Sequence, residues 1–286
     1  MSNKISGWID GSRLIISASL QFEAGGAPDT GFDNPFPQNM KPGFPDLPAK
    51  TWFQYGYKEG IPRLLDLLDK HGIKVTSHTI GLAAIHSPAL AKEIAARGHE
   101  LSGHGQSWTD QFALGYEEEK EFIRSSKDAI QQITGQETVG YNCYWMRRSP
   151  NTLAILQELG FTYYIDDLSR DEPFLVSLNN ERLVVVPYTL RCNDIYLLEG
   201  KNYTPNQYLE TLKLEFDQLY HEGATRRRMM SFSMHDRISG TPAMVNVLDQ
   251  FISYTLRYEG VRYLRKDEIA SMTLTDKNSI TDADYV

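Results

Sequence analysis

Short apolar runs of strand character alternate with longer segments of helical period along nearly the whole chain. Leu14–Phe22 (LIISASLQF) opens the series as an apolar, β-rich strand. Residues 57–71 follow with helical spacing at Ile61, Leu64, Leu65 and Leu68, stopped by Gly72. The same reading predicts strands at 73–80, 99–103, 139–144, 163–165, 183–187, 229–234 and 261–264. It predicts helices at 87–97, 116–134, 149–160, 205–222 and 242–258. Ser87-Pro88 and Ser149-Pro150 supply helix starts, and Gly98 and Gly160 the stops. Strand–helix alternation of this kind dictates parallel strands joined by crossover helices, in a barrel or an open sheet.

The chain has 286 residues, room for one large α/β domain or two small ones. No internal repeat or low-complexity linker divides it, so one domain over 1–286 is expected, with its core at about 14–270. Residues 27–50 read as a long loop dense in Pro, Gly, Asp and Asn, and 274–286 as a loosely held polar tail. A formal net charge of −8 argues against nucleic acid or an anionic membrane as partner. The short basic run Arg226-Arg227-Arg228 reads as a solvated approach to a strand. No stretch reaches the 18 or more apolar residues that span a bilayer, and the opening MSNKISGWIDGSR lacks the apolar centre of a signal peptide. Two distant cysteines, Cys143 and Cys192, make no disulfide framework. These features together predict a cytoplasmic protein with reduced thiols.

Glu23, His104 and His235 each fall just beyond an expected strand. In parallel α/β folds the carboxyl ends of the strands face one mouth, where reactive groups gather. Singly, each has a plain structural reading: a cap for the glycine loop, a turn histidine, a strand-bonded histidine. Three at equivalent strand ends point instead to acid–base chemistry. Tyr55, Trp108, Tyr144 and Trp145 lie near the same ends, either lining a substrate pocket or closing the core. His71, His86 and His221 read as surface histidines.

The strand-end acid, GHELSGHGQSW, GYNCYWMRRSPNTLAILQELGF, PYTLRCND and SFSMHDRISGTP, in that order, resemble the polysaccharide deacetylase (NodB-homology) superfamily. Within it the resemblance is to the branch of cofactor-free allantoinases and cyclic-imide hydrolases, and it runs from about Leu14 to Ala270. It implies a distorted (β/α) barrel with parallel strands and outer helices, often a homo-tetramer, with 27–50 a candidate subunit arm. The family's metal pattern is two acids in the first motif and His-x-x-x-His in the second. Here the first histidine corresponds to His104 and the second to Trp108, which cannot bind a metal. One of the two acids is also absent, since Glu23 is followed by Ala24 and Gln21 stands two residues before it. The third motif reads Asn142-Cys143-Tyr144-Trp145, so the family's usual arginine partner for the base is missing.

The expected activity is hydrolysis of a non-peptide C–N bond, in an amide, cyclic amide or imide, by water attack. Glu23 is the expected base, its pKa raised by burial; His235 is the expected acid, and His104 orients water or polarises the carbonyl. Asn193 and Asp194 resemble a substrate-contacting loop, joining Tyr55, Trp108 and Trp145. No cofactor is expected. Zinc is the alternative, on a replacement set of Glu23, His78 and His104, and would accompany a sugar N-deacetylase. His78 otherwise reads as a neutral core histidine bonded to a backbone carbonyl. A non-catalytic small-ligand binder is the further alternative.

Overall fold

A computed structural model describes residues 7–27, 35–36, 40–41, 43–178 and 181–285. Residues 28–34, 37–39 and 42 of the expected 27–50 loop therefore lie outside the described residues; its end forms a helix, Leu47–Tyr55. Among the described residues ten strands form one sheet: β1 (Leu14–Phe22), β2 (Thr76–Thr79), β3 (Glu100–Gly103), β4 (Gly140–Tyr141), β5 (Tyr163–Tyr164), β6 (Phe174–Leu178), β7 (Glu181–Val185), β8 (Met229–His235), β9 (Val261–Tyr263) and β10 (Thr281–Asp282). Their order is β10-β6-β7-β5-β4-β3-β2-β1-β8, with β9 also on β1. Every pairing is parallel except the β6–β7 hairpin.

The ladder curls almost shut. Beyond β7 the chain reaches β8 through a single parallel bridge, Asn193 with Ser233, and a hydrogen bond from Ser231 Oγ to the Pro187 carbonyl at 2.7 Å. This irregular seam is what distorts the expected (β/α) barrel. Helices cover the outside. Helix Tyr116–Thr134 turns Ile123 and Ile130 inward and ends at Gly135 in the left-handed conformation. Each such buried isoleucine stabilises the fold by roughly 1.5–3 kcal/mol. No helix among the described residues is long and apolar enough to cross a membrane.

The barrel interior inverts the usual pattern. On β1 the apolar Ile16, Ala18, Leu20 and Phe22 join the large cluster shared with the outer helices. Ser17, Ser19 and Gln21, on the opposite face, are buried too, and pair in register with Thr76 and His78 of β2 and Ser231, Ser233 and His235 of β8. A polar column therefore runs along the axis. Tyr163 crosses it over Gly140, where an added Cβ would come within 1.9 Å of the tyrosine ring. Its hydroxyl donates to Glu100 at 2.7 Å.

Three expectations need correction. The tail is not loose: helix Lys266–Thr275 packs under the barrel, β10 pairs with β6, and the Tyr285 hydroxyl donates to Asp167 at 3.0 Å. Arg227 is not solvated but buried, bonded to Asp276, while Arg228 meets Glu222 at 2.6 Å. The β6 strand was not expected; it extends the sheet beyond the barrel. Cys143 and Cys192 are buried free thiols.

Candidate active site

Glu23 emerges at the end of β1, His104 one residue past β3, and His235 at the end of β8, and all three are buried. Their polar atoms converge. Glu23 Oε1 lies 3.4 Å from His104 Nε2 and 3.7 Å from His235 Nε2. Gaps of this size suit a water that bridges the three groups from one side.

Each imidazole is oriented from behind. His104 Nδ1 donates to the Asn142 carbonyl at 2.9 Å. A carbonyl only accepts, so Nδ1 carries a hydrogen and Nε2 is the nitrogen that faces Glu23. His235 Nδ1 donates to Asp194 Oδ1 at 2.6 Å. Asp194 is fully buried and also accepts from His235 N, Ser233 Oγ and Ser239 Oγ, at 2.6, 3.0 and 2.6 Å. Burial alone would raise the Asp194 pKa; His235 and the hydrogen bonds more than offset it and hold the carboxylate below its ordinary value. Burial likewise lowers His235, but Asp194 and Glu23 outweigh it, so its pKa is raised. His235 is thus biased toward the imidazolium.

A residue that the sequence reading missed adds a second positive charge beside Glu23, after His235. After His235 the chain enters a helical turn, Asp236–Ser239. This turn aims Arg237 back at β1, where Nη1 donates to Glu23 Oε2 at 2.8 Å. Asp236 Oδ2 accepts from the backbone N–H groups of Glu23 and Ala24 at 3.0 and 2.8 Å. The turn packs against a second chain segment through Gly60 and Gly240. A Cβ on Gly240 would fall 2.3 Å from Gly60 Cα, so only glycine permits the approach. The Arg237 guanidinium sits among Trp52, Phe53 and Trp108, 4.8, 4.7 and 5.2 Å from their ring centroids. The missing arginine partner is therefore present, delivered from the segment after β8 rather than from the third motif.

This environment overturns one expectation. Burial pushes the Glu23 pKa up, but His235, Arg237 and His104 together hold it well below the ordinary carboxylate range. Glu23 is a firmly ionised carboxylate and a weak proton acceptor.

Above the three groups opens a cavity of about 410 Å³. Gln21 and Tyr188 belong to its lining with His104 and His235, and Trp52, Trp108, Tyr144 and Trp145 supply aromatic walls. Trp108 stacks on Tyr144 at 5.6 Å. Trp145 and Met146 both take positive φ, 51° and 58°, which presents the half-exposed Trp145 ring at the rim. Asn193 lines the cavity as expected. Tyr55 does not: it ends helix Leu47–Tyr55 and its hydroxyl accepts from Arg63 at 2.9 Å. Asp194 does not line it either, because its carboxylate is spent on His235 and its neighbours.

The donor set does not fit a zinc centre. Zinc sites ordinarily take three protein ligands, and Trp108 offers none where the resemblance places a histidine. The Glu23 carboxylate is already bonded to a guanidinium. His78, the suggested replacement, lies one register layer below, opposite Gln21 and Ser102, and outside the cavity lining. Among the described residues no three His, Cys, Asp or Glu side chains are grouped to hold a metal ion. Nor does His78 bond a backbone carbonyl; both ring nitrogens are buried without a partner among the described residues. It is neutral as expected, held well below its ordinary pKa by burial, Lys266, His104 and His235.

Comparison with known proteins gives this arrangement a context. Residues 48–164 match the family model for polysaccharide deacetylase. A putative polysaccharide deacetylase of Schizosaccharomyces pombe is 26% identical, over 92% of this chain and 91% of its own. Among solved structures, a probable polysaccharide deacetylase from Pseudomonas aeruginosa PAO1 superposes with a TM-score of 0.87 and 28% identity, covering 94% of each chain. PuuE allantoinase superposes with a TM-score of 0.86 and 27% identity, covering 97% of this chain and 98% of its own.

Proposed function

We propose that the chain, which resembles the polysaccharide deacetylase superfamily in sequence and fold, is a hydrolase that opens a non-peptide C–N bond in a small cyclic amide or imide without a metal. The observation that carries this is the convergence of His104 Nε2 and His235 Nε2 on one oxygen of Glu23, whose other oxygen is bonded to Arg237. Where a metal-dependent relative would need a cation beside the acid, this chain places a guanidinium. Trp108, in the position of the absent ligand, packs on that same guanidinium.

Water held by Glu23 and His104 attacks the carbonyl carbon. Glu23 is too acidic to keep the proton well, so His104 Nε2 takes it and Glu23 stabilises the imidazolium formed beside it. His235, charged and oriented by Asp194, donates from Nε2 to the leaving nitrogen. The Asn193 amide, with only a 3.5 Å approach to the Tyr188 hydroxyl, has a donor to spare for the carbonyl oxygen. The aromatic walls and a cavity of about 410 Å³ suit one planar ring better than a polymer.

A screen of cyclic amides, imides and N-acetyl sugars, run on protein of known metal content, tests this. Turnover of a ring substrate by metal-free protein is expected, unchanged by chelator. Stoichiometric zinc, with activity lost to chelator and restored by zinc, overturns it in favour of sugar N-deacetylation. Binding of every candidate with turnover of none would make the chain a ligand binder. The resemblance also supports a homo-oligomer. Light scattering is expected to give a multiple of the 32.6 kDa chain mass, and a 32.6 kDa particle at micromolar concentration counts against it.

A further inference from the structure

Below the catalytic groups the barrel axis holds polar side chains that the hydrolysis does not use. One register layer down from Glu23 and His104 stand Gln21, His78 and Ser102, Cα partners across β1, β2 and β3. All three are buried. Gln21 Nε2 donates to the Tyr188 hydroxyl at 2.8 Å, but Gln21 Oε1 and both His78 nitrogens meet no partner among the described residues. Leaving polar atoms desolvated on two adjacent strands is costly, and such groups ordinarily share ordered water, each water making on the order of three hydrogen bonds. The next layer down is Ser19, Thr76 and Glu100. Lys266, fully buried, donates from Nζ to Ser17 Oγ and Ser19 Oγ, both at 2.8 Å. Glu100 accepts from Thr76 Oγ1, Tyr163 and the Asp267 backbone N–H, at 2.6, 2.7 and 3.1 Å. Asp267 lines a groove at the far end of the barrel.

We propose that the Gln21–His78–Ser102 layer binds buried water, and that this water carries protons between the catalytic groups and the titratable Lys266 and Glu100 below. The use of this path rests on the hydrolase reading. Hydrolysis forms a carbon–oxygen bond, breaks the carbon–nitrogen bond and returns one water proton to nitrogen. A leaving nitrogen that is itself part of an amide or urea is too weakly basic to keep more than that. The proton lost by the new carboxylic acid must therefore leave the catalytic groups. His78 is neutral, with one ring nitrogen free to accept and the other able to donate. The charged or titratable groups around it are Lys266 below, His104 above, and His235, the Cα partner of Gln21, on β8. Lys266 is held down to about 7 and Glu100 up to about 7, so either can take or release a proton near neutrality.

Two measurements test this. On the wild-type protein, nuclear Overhauser contacts between long-lived water and the ¹⁵N-labelled His78 ring require no activity; they are expected, and a dry ring overturns the water site. On a substrate that wild type turns over, His78→Leu is expected to lower kcat by up to about 10²-fold with KM held. It should also delay proton release seen with a pH indicator, and His78→Gln, still polar, should restore much of the rate. Unchanged kcat and proton release in a correctly folded His78→Leu variant overturn the path. Absence of any turnover in wild type would instead strike the hydrolase reading, leaving the water site to the first measurement.

Discussion

Arg237 and Glu23, 214 residues apart in the chain, form a buried ion pair at 2.8 Å that places a fixed positive charge beside the reacting groups. Breaking such a pair leaves an uncompensated charge and costs roughly 3–5 kcal/mol. Arg237→Met is therefore expected to destabilise the fold by about that amount at pH 7, read from urea unfolding. The sign with pH follows from the lowered Glu23 pKa. Stability from Glu23 is complete above the ordinary carboxylate value and is lost as pH falls through the folded one. The deficit of the variant should thus shrink in acid. A deficit independent of pH would mean that Arg237 acts by packing alone.

Chemical rescue separates the two candidate bases. His104→Gly and Glu23→Gln are each expected to lower kcat by about 10²-fold or more. Added imidazole should restore part of the His104→Gly rate. Formate that rescues Glu23→Gly, with no imidazole rescue at position 104, would return the base to Glu23.

Asp194→Asn keeps the shape around His235 and removes its counter-charge. The raised His235 pKa should fall, so the alkaline limb of the kcat profile moves to lower pH. The rate at neutrality is expected to drop by about 10²–10⁴-fold. An unmoved limb would show that another group is the acid.

Lys266→Met replaces a buried ammonium with an apolar chain of similar length. The wild-type amine is held down to about 7 from its ordinary 10.5, by burial first. A depressed base costs stability in full below about 7, and the cost fades as pH rises toward 10.5. The variant's advantage over wild type in urea unfolding should therefore be largest near pH 6 and shrink by pH 10. A difference that does not change with pH would refute the lowered pKa of Lys266.

The sequence was most legible where periodicity and punctuation agree. The expected bounds of β1 and of helices Tyr116–Thr134 and Pro205–Glu222 are those observed. Strand ends also located Glu23, His104 and His235, because in a parallel barrel position along the chain predicts position at the mouth. Arg237 escaped notice although it stands two residues after His235. Its partner is set by the helical turn at Asp236–Ser239, and a short turn leaves no periodic signal. Asp194 was assigned to the substrate because its loop was recognised but its burial was not. β1, expected as an apolar strand, is buried along its whole length. Ser17, Ser19 and Gln21 are as buried as the apolar residues between them, so a half-polar strand here has two interiors.

The pairing of β10 with β6 has a consequence for behaviour in a crowded solution. The barrel leaves β6 as the last long strand of the sheet, with a row of backbone donors and acceptors along one side. An uncovered row of that kind is a template on which other chains can add. Two residues of β10, held by Tyr285 against Asp167 and Phe174, occupy it. The polar tail thus acts as a sentinel against self-templated aggregation: loosening it would leave the catalytic mouth intact while making the protein sticky.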